Sequence, residues 1–159
     1  MQILYEGIFF DDKNSNIIRS LDFNKLNRKI NDLHITFKHA PSEDEIFNEL
    51  LGKEFDIELI GYGNDGQNSG FQVRLPEELI EYYINTDNEE IRTPHITTTL
   101  SNDAKANNTH KLSFKPFNKA IKIKGIFSLY IQDKNNDYIS TIPETTINIK
   151  KRWELTHLF

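Results

Sequence analysis

The chain reads as short apolar runs separated by polar turns, and the spacing of its hydrophobic positions sets most of the expected elements. Residues 3–10 form an apolar strand run that ends in Asp11-Asp12-Lys13-Asn14. Ile17, Ile18, Leu21, Leu26 and Ile30 fall near helical spacing, which predicts a helix within residues 15–29. Residues 33–38 are β-branched and aromatic and read as a strand. Ser42-Glu43-Asp44-Glu45 has the form of a capping box and predicts a short helix to about Leu51, with Gly52 placed to stop it. Residues 55–62 and 70–75 predict two strands joined by a polar, Gly-rich turn over 63–69. Pro76-Glu77-Glu78 opens another helix, with proline in the first turn and acids at the positive end of the dipole. Residues 94–100 read as a strand, 101–110 as a polar loop and 120–132 as an alternating strand. Lys134-Asn135-Asn136-Asp137 turns that strand into a run over 138–142. From Pro143 a further strand is expected, ending in Trp153 and Leu155. Strands and helices in this order predict an α+β fold of mostly antiparallel sheet.

Two of the strand runs contain the same tripeptide. His34-Ile35-Thr36 and His95-Ile96-Thr97 stand 61 residues apart. From this composition about 0.05 copies are expected by chance, so a pair is of order one in a thousand. On a strand, residues i and i+2 share a face. Each copy therefore projects an imidazole and a hydroxyl together, with Ile behind them. By the same alternation Lys38 joins His34 and Thr36, and Thr99 joins His95 and Thr97. The flanking sequences do not repeat, so this is not a tandem array. An old duplication with a pseudo-twofold axis stays open.

Histidine titrates near neutral pH, so one imidazole can take a proton while the other gives one. Hydrolysis of a phosphodiester needs that division: one His deprotonates water and the other protonates the leaving ribose oxygen. Thr36 and Thr97 would hold the non-bridging oxygens. No metal is needed. Zinc is a rival use for the two imidazoles, but no Asp or Glu stands at i+2 or i+4 from either. The plainer alternative is two half-buried strands with His and Thr facing water. His39, His110 and His157 stand in polar or terminal contexts and are expected at the surface. Tyr5 and Phe9 share one face of the first strand, either in the core or lining the cleft as a stacking platform. Trp153 has the same two options. The turn over 61–70 lacks the Gly-Lys-Ser/Thr ending of a phosphate loop.

Composition narrows the picture further. At 159 residues the chain is expected to be one domain spanning 1–159. A net charge of −5 argues against long DNA or RNA as partner, but not against a small nucleotide in one cleft. There are no cysteines, so disulfides, thiolate catalysis and Cys-bound metal are excluded. No leader or membrane span is visible, and a cytoplasmic location is expected.

The paired motifs His34–Phe37 and His95–Thr98 resemble the 2H phosphoesterase superfamily, with Thr98 at a usually hydrophobic place. The opening strand followed by Asp11-Asp12, the hairpin Ile60-Gly61-Tyr62…Phe71-Gln72-Val73, and Pro94 before the second His are similar to the cyclic phosphodiesterase domains of RNA-repair tRNA ligases. Phage anti-CBASS phosphodiesterases are similar in size and motif. The resemblance covers roughly residues 1–132. It implies a bilobal fold, two mostly antiparallel sheets with flanking helices and a central cleft. It also implies metal-independent phosphodiester cleavage without a cofactor, with His34, Thr36, His95 and Thr97 catalytic. Tyr5, Phe9, Lys38 and Thr99 are the expected substrate contacts, with a solvated side chain as the alternative for Lys38. The resemblance does not set the substrate; the acidic chain leads to the expectation of a small nucleotide such as a cyclic oligonucleotide signal, as in phage counter-defence. Two alternatives remain: a 2′,3′-cyclic phosphate on an RNA end, and a module that sequesters its nucleotide without turnover.

Overall fold

The computed structural model describes residues 2–84, 92–132, 135 and 137–140. Among them the element order is β1 (Gln2–Phe9), α1 (Asp12–Ser20), β2 (Arg28–Lys29), β3 (His34–His39), β4 (Glu54–Asn64), β5 (Asn68–Arg74), α2 (Glu77–Ile84), β6 (His95–Leu100), β7 (Lys115–Gln132) and β8 (Asp137–Ser140). Two 3₁₀ turns, Glu43–Glu45 and Ala106–Lys111, complete it. The fold is α+β, and every strand pairing is antiparallel.

The strands belong to one hydrogen-bonded sheet, not to the two expected. Its order is β2-β6-β5-β4-β7-β1-β3, with β8 also on β7. The reason is the length of β7, 18 residues. Its first part pairs with β4, from Lys115 to Ile126. Its second part pairs with β1, from Ile126 to Gln132. Where β4 has ended, β8 pairs with β7 from Leu129 to Gln132. One strand thus joins two groups of strands. The sheet also curls. β3 and β6 are separated by four strands in pairing order, yet their Cα atoms approach within 8 Å.

The alternating runs account for the core. Ile35 and Phe37 of β3, Ile57 and Leu59 of β4, Phe71 of β5, Ile96 of β6 and Phe127 of β7 are all buried. Leu79 of α2 and Ile46, Leu50 and Leu51 of the connection between β3 and β4 cover them. Phe37 meets Phe127 edge to face at 5.3 Å.

Some elements begin or end away from their predicted limits. α1 starts at Asp12 because the Asp11 carboxylate accepts the Asn14 amide at 2.8 Å and caps it. It stops at Ser20, since the apolar spacing of Leu26 and Ile30 belongs to a connection and the flank of β2, not to a helix. The expected helix over 42–51 is only a 3₁₀ turn, although Glu45 does accept the Ser42 amide at 2.9 Å as a capping box requires. The expected strand from Pro143, with Trp153 and His157, lies outside the described residues.

Candidate functional site

β3 and β6 are the two strands that carry the repeated tripeptide. Where they approach, a cavity of about 580 Å³ opens, and His34, Thr36, His95 and Thr97 all line it. Tyr5, Ile30, His39, Arg92, Lys105 and Asn107 share the wall.

The two motifs are built alike. In each, the imidazole Nδ1 lies 2.7 Å from the carbonyl oxygen two residues earlier, Asp32 for His34 and Thr93 for His95. A carbonyl only accepts, so Nδ1 carries the hydrogen and Nε2 of the neutral ring keeps its lone pair. Each motif is also followed by a β-bulge. Gly7 pairs with Thr36 and Glu6 with Lys38, so Phe37 is the extra residue. Gly70 pairs with Thr97 and Ser69 with Thr99, so Thr98 is the extra residue. Opposite each bulge stands a glycine. A Cβ on Gly7 would collide with the carbonyl of Ile35, and one on Gly70 with the carbonyl of Ile96. Only glycine lets the neighbouring strand come this close.

The bulges correct two expected substrate contacts. Simple alternation puts Lys38 beside Thr36, but the extra residue turns Lys38 away to pair with Glu45 at 3.1 Å. His39 takes the cavity wall in its place. Likewise Thr99 leaves the face of Thr97. It is buried, accepts the Leu26 amide at 3.0 Å, and bonds Ser69. Of the other expected contacts, Tyr5 lines the cavity, its ring stacked on His34 at 4.7 Å. Phe9 is buried beside His34, at 5.2 Å between rings, and is part of the support and not of the wall.

Burial dominates the electrostatics. It lowers the His34 pKa, against the opposing pull of the Asp32 carbonyl and carboxylate. It pushes His95 down to about 4; the Thr93 carbonyl opposes this, while His110, Arg92 and His34 add to it. Both rings are therefore neutral near pH 7 in the free protein. His110, expected at the surface, is half-buried, with its ring 6.3 Å from that of His95. Arg92 and Lys105 bring positive charge to the cavity of an acidic chain. Nothing in the sequence marked Arg92, Lys105 or Asn107, because each stands in a polar connection with no periodicity.

The two hydroxyls differ. Thr36 makes no hydrogen bond through its side chain among the described residues. Thr97 Oγ1 donates to Thr109 Oγ1 at 2.8 Å. Below β6, the buried Asp22 carboxylate accepts Tyr62 at 2.5 Å, Thr98 at 2.7 Å and Ser69 at 3.0 Å. This network pins the bulge of the second motif to the connection after α1. Among the described residues, no three His, Asp or Glu side chains are grouped to hold a metal ion, and no helix is long and apolar enough to cross a membrane. A scan against protein-family models and a search of curated proteins each return no match.

Proposed function

We propose that this chain is a 2H-type phosphodiesterase that hydrolyses a small nucleotide phosphodiester without a metal ion. One observation carries the reading: two identical His-Ile-Thr segments, each with its imidazole held by the backbone carbonyl two residues earlier, line a single cavity. The sharing of β7 between β4 and β1 is in keeping with a two-lobed arrangement of that type.

In the proposed reaction a diester phosphate sits between the imidazoles. The neutral ring of one histidine accepts a proton from water at Nε2 as the water oxygen bonds to phosphorus. The other histidine, protonated, gives its Nε2 proton to the departing ribose oxygen as the P–O bond breaks. The proton count balances, and the two rings exchange states once per turnover. Thr36 and Thr97 donate to the non-bridging oxygens, and Arg92 and Lys105 offset the anion's charge. The size of the cavity, the Tyr5 wall and the net negative charge of the chain favour a compact nucleotide, a cyclic oligonucleotide signal above all, over the end of a long RNA.

The test is substitution at the motifs. His34→Ala and His95→Ala should each lower turnover by about 100- to 10,000-fold with folding retained. Thr36→Ala and Thr97→Ala should retain more activity, because each removes a hydrogen-bond donor and not a proton carrier. If the histidine variants each lose less than about tenfold, the acid–base assignment is wrong.

A further inference from the structure

The motifs match in their backbone and diverge behind the threonines. Thr109 lies in the 3₁₀ turn Ala106–Lys111 and is fully buried against β5 and β6. It fits there because Gly70 has no side chain: a Cβ on Gly70 would stand 2.9 Å from the Thr109 methyl. Asn68, also buried, reaches the same hydroxyl, Nδ2 to Oγ1 at 3.0 Å. Asn68 Nδ2 also lies 2.8 Å from the Lys105 carbonyl. A carbonyl can only accept, so the amide nitrogen, not its oxygen, must face this side. Asn68 is therefore a fixed donor to Thr109.

This fixes what Thr109 can do. Its oxygen already accepts from Asn68, and Thr97 is its hydroxyl neighbour. In the free protein Thr97 donates to Thr109. For Thr97 to donate to an oxyanion in the cavity, its proton must turn from Thr109, and from the Ala106 carbonyl 3.4 Å away, so that the Thr109 proton takes over the bond between the two hydroxyls. All donors then point one way, from Asn68 through Thr109 and Thr97 to the anion, and each bond polarises the next. Thr36 has no such support. We infer that Thr109, held by Asn68, is a positioning residue that orients the Thr97 hydroxyl as a donor to the bound phosphate. The assignment rests on the phosphodiesterase reading and adds an asymmetry that the matched motifs do not contain.

The experiment measures kcat and KM for bis(p-nitrophenyl) phosphate with Thr109→Val, Thr109→Ser, Thr97→Ala and the Thr97→Ala/Thr109→Val double variant. Thr109→Val should lower kcat by about tenfold with KM little changed, less than the full loss of an oxyanion donor. Thr109→Ser should restore kcat to within about twofold, since it returns the hydroxyl. The double variant should be no slower than Thr97→Ala alone, because Thr109 acts through Thr97. Where Thr109→Val does not fold, Thr109→Ala takes its place. A valine or alanine variant within about twofold of the unmodified protein, or losses that multiply in the double variant, would overturn the inference. Failure of the underlying reading shows separately, as absent turnover in the unmodified protein or full activity in His34→Ala and His95→Ala.

Discussion

At the scale of single residues, the chemistry depends on how far burial shifts each titration. The proposed reaction needs one neutral and one protonated imidazole. That combination is most populated between the two pKa values. Burial lowers both from 6.5, His95 to about 4. The kcat/KM profile, which reports the free protein, should therefore peak below pH 6.5 and fall on the alkaline side as the acid loses its proton. A peak above pH 7 would contradict the desolvated setting of the pair. Glu6 shows the opposite shift. It is fully buried, with Oε1 lacking a hydrogen-bond partner among the described residues and Oε2 accepting the Phe47 amide at 3.2 Å. Burial pushes its pKa from 4.5 up to about 8. The folded protein then holds a proton that the unfolded chain releases. The stabilisation is complete below pH 4.5 and is lost as pH rises through 8, at a slope no steeper than about 1.4 kcal/mol per pH unit. Glu6→Gln cannot titrate. Denaturant melts across this range should show the unmodified protein losing stability relative to Glu6→Gln as pH rises; parallel curves would mean that Glu6 is solvated.

At the scale of elements, the strands that alternate cleanly were legible. Ile121 and Ile123 against Lys122 and Lys124 announce β7, and the β-branched runs around the two motifs announce β3 and β6. The polar turn announces the β4–β5 hairpin, although both strands extend further into it than expected. Three things were not legible, for physical reasons. β2 is two exposed residues, Arg28 and Lys29, with no apolar signal, and it exists only because β6 offers it an edge. The bulges at Phe37 and Thr98 leave no mark in hydropathy, since Thr97, Thr98 and Thr99 are chemically identical, and they decide which side chains reach the cavity. The merging of the strands into one sheet depends on pairing across long sequence separations, which local periodicity does not carry. Asp22 illustrates the same limit. It is unremarkable in sequence, yet it gathers Tyr62, Ser69 and Thr98 from three segments. Asp22→Ala would remove the acceptor that the buried Ser69 and Thr98 hydroxyls share with the half-buried Tyr62, leaving Thr98 the Ser69 carbonyl, and should lower unfolding stability by about 2–4 kcal/mol. A loss under about 1 kcal/mol in chemical denaturation would show that the network contributes little to holding the bulge.

At the scale of the whole molecule, the curl of the sheet is what makes the site. β3 and β6 lie far apart in pairing order, and each motif strand presents only half of the chemistry. Bringing them together concentrates the four motif His and Thr side chains and His39, with Arg92 and Lys105, in one cavity of a chain whose net charge is −5. A net negative charge disfavours broad attraction to nucleic acid, so in the proposed function recognition rests on what fits inside. The central claim is that two histidines here cleave a nucleotide phosphodiester without a metal ion. Mass spectrometry of products tests it most directly. The unmodified protein is incubated in EDTA with a nucleoside 2′,3′-cyclic phosphate, cyclic di- and trinucleotides, and linear 2′,5′ and 3′,5′ dinucleotides. The account predicts that at least one cyclic oligonucleotide is opened or cut in EDTA and that His34→Ala and His95→Ala leave it intact. Opening of only the 2′,3′-cyclic phosphate would move the substrate to RNA ends. Tight binding with no product from any of them, or activity that EDTA removes and zinc restores, would contradict the account.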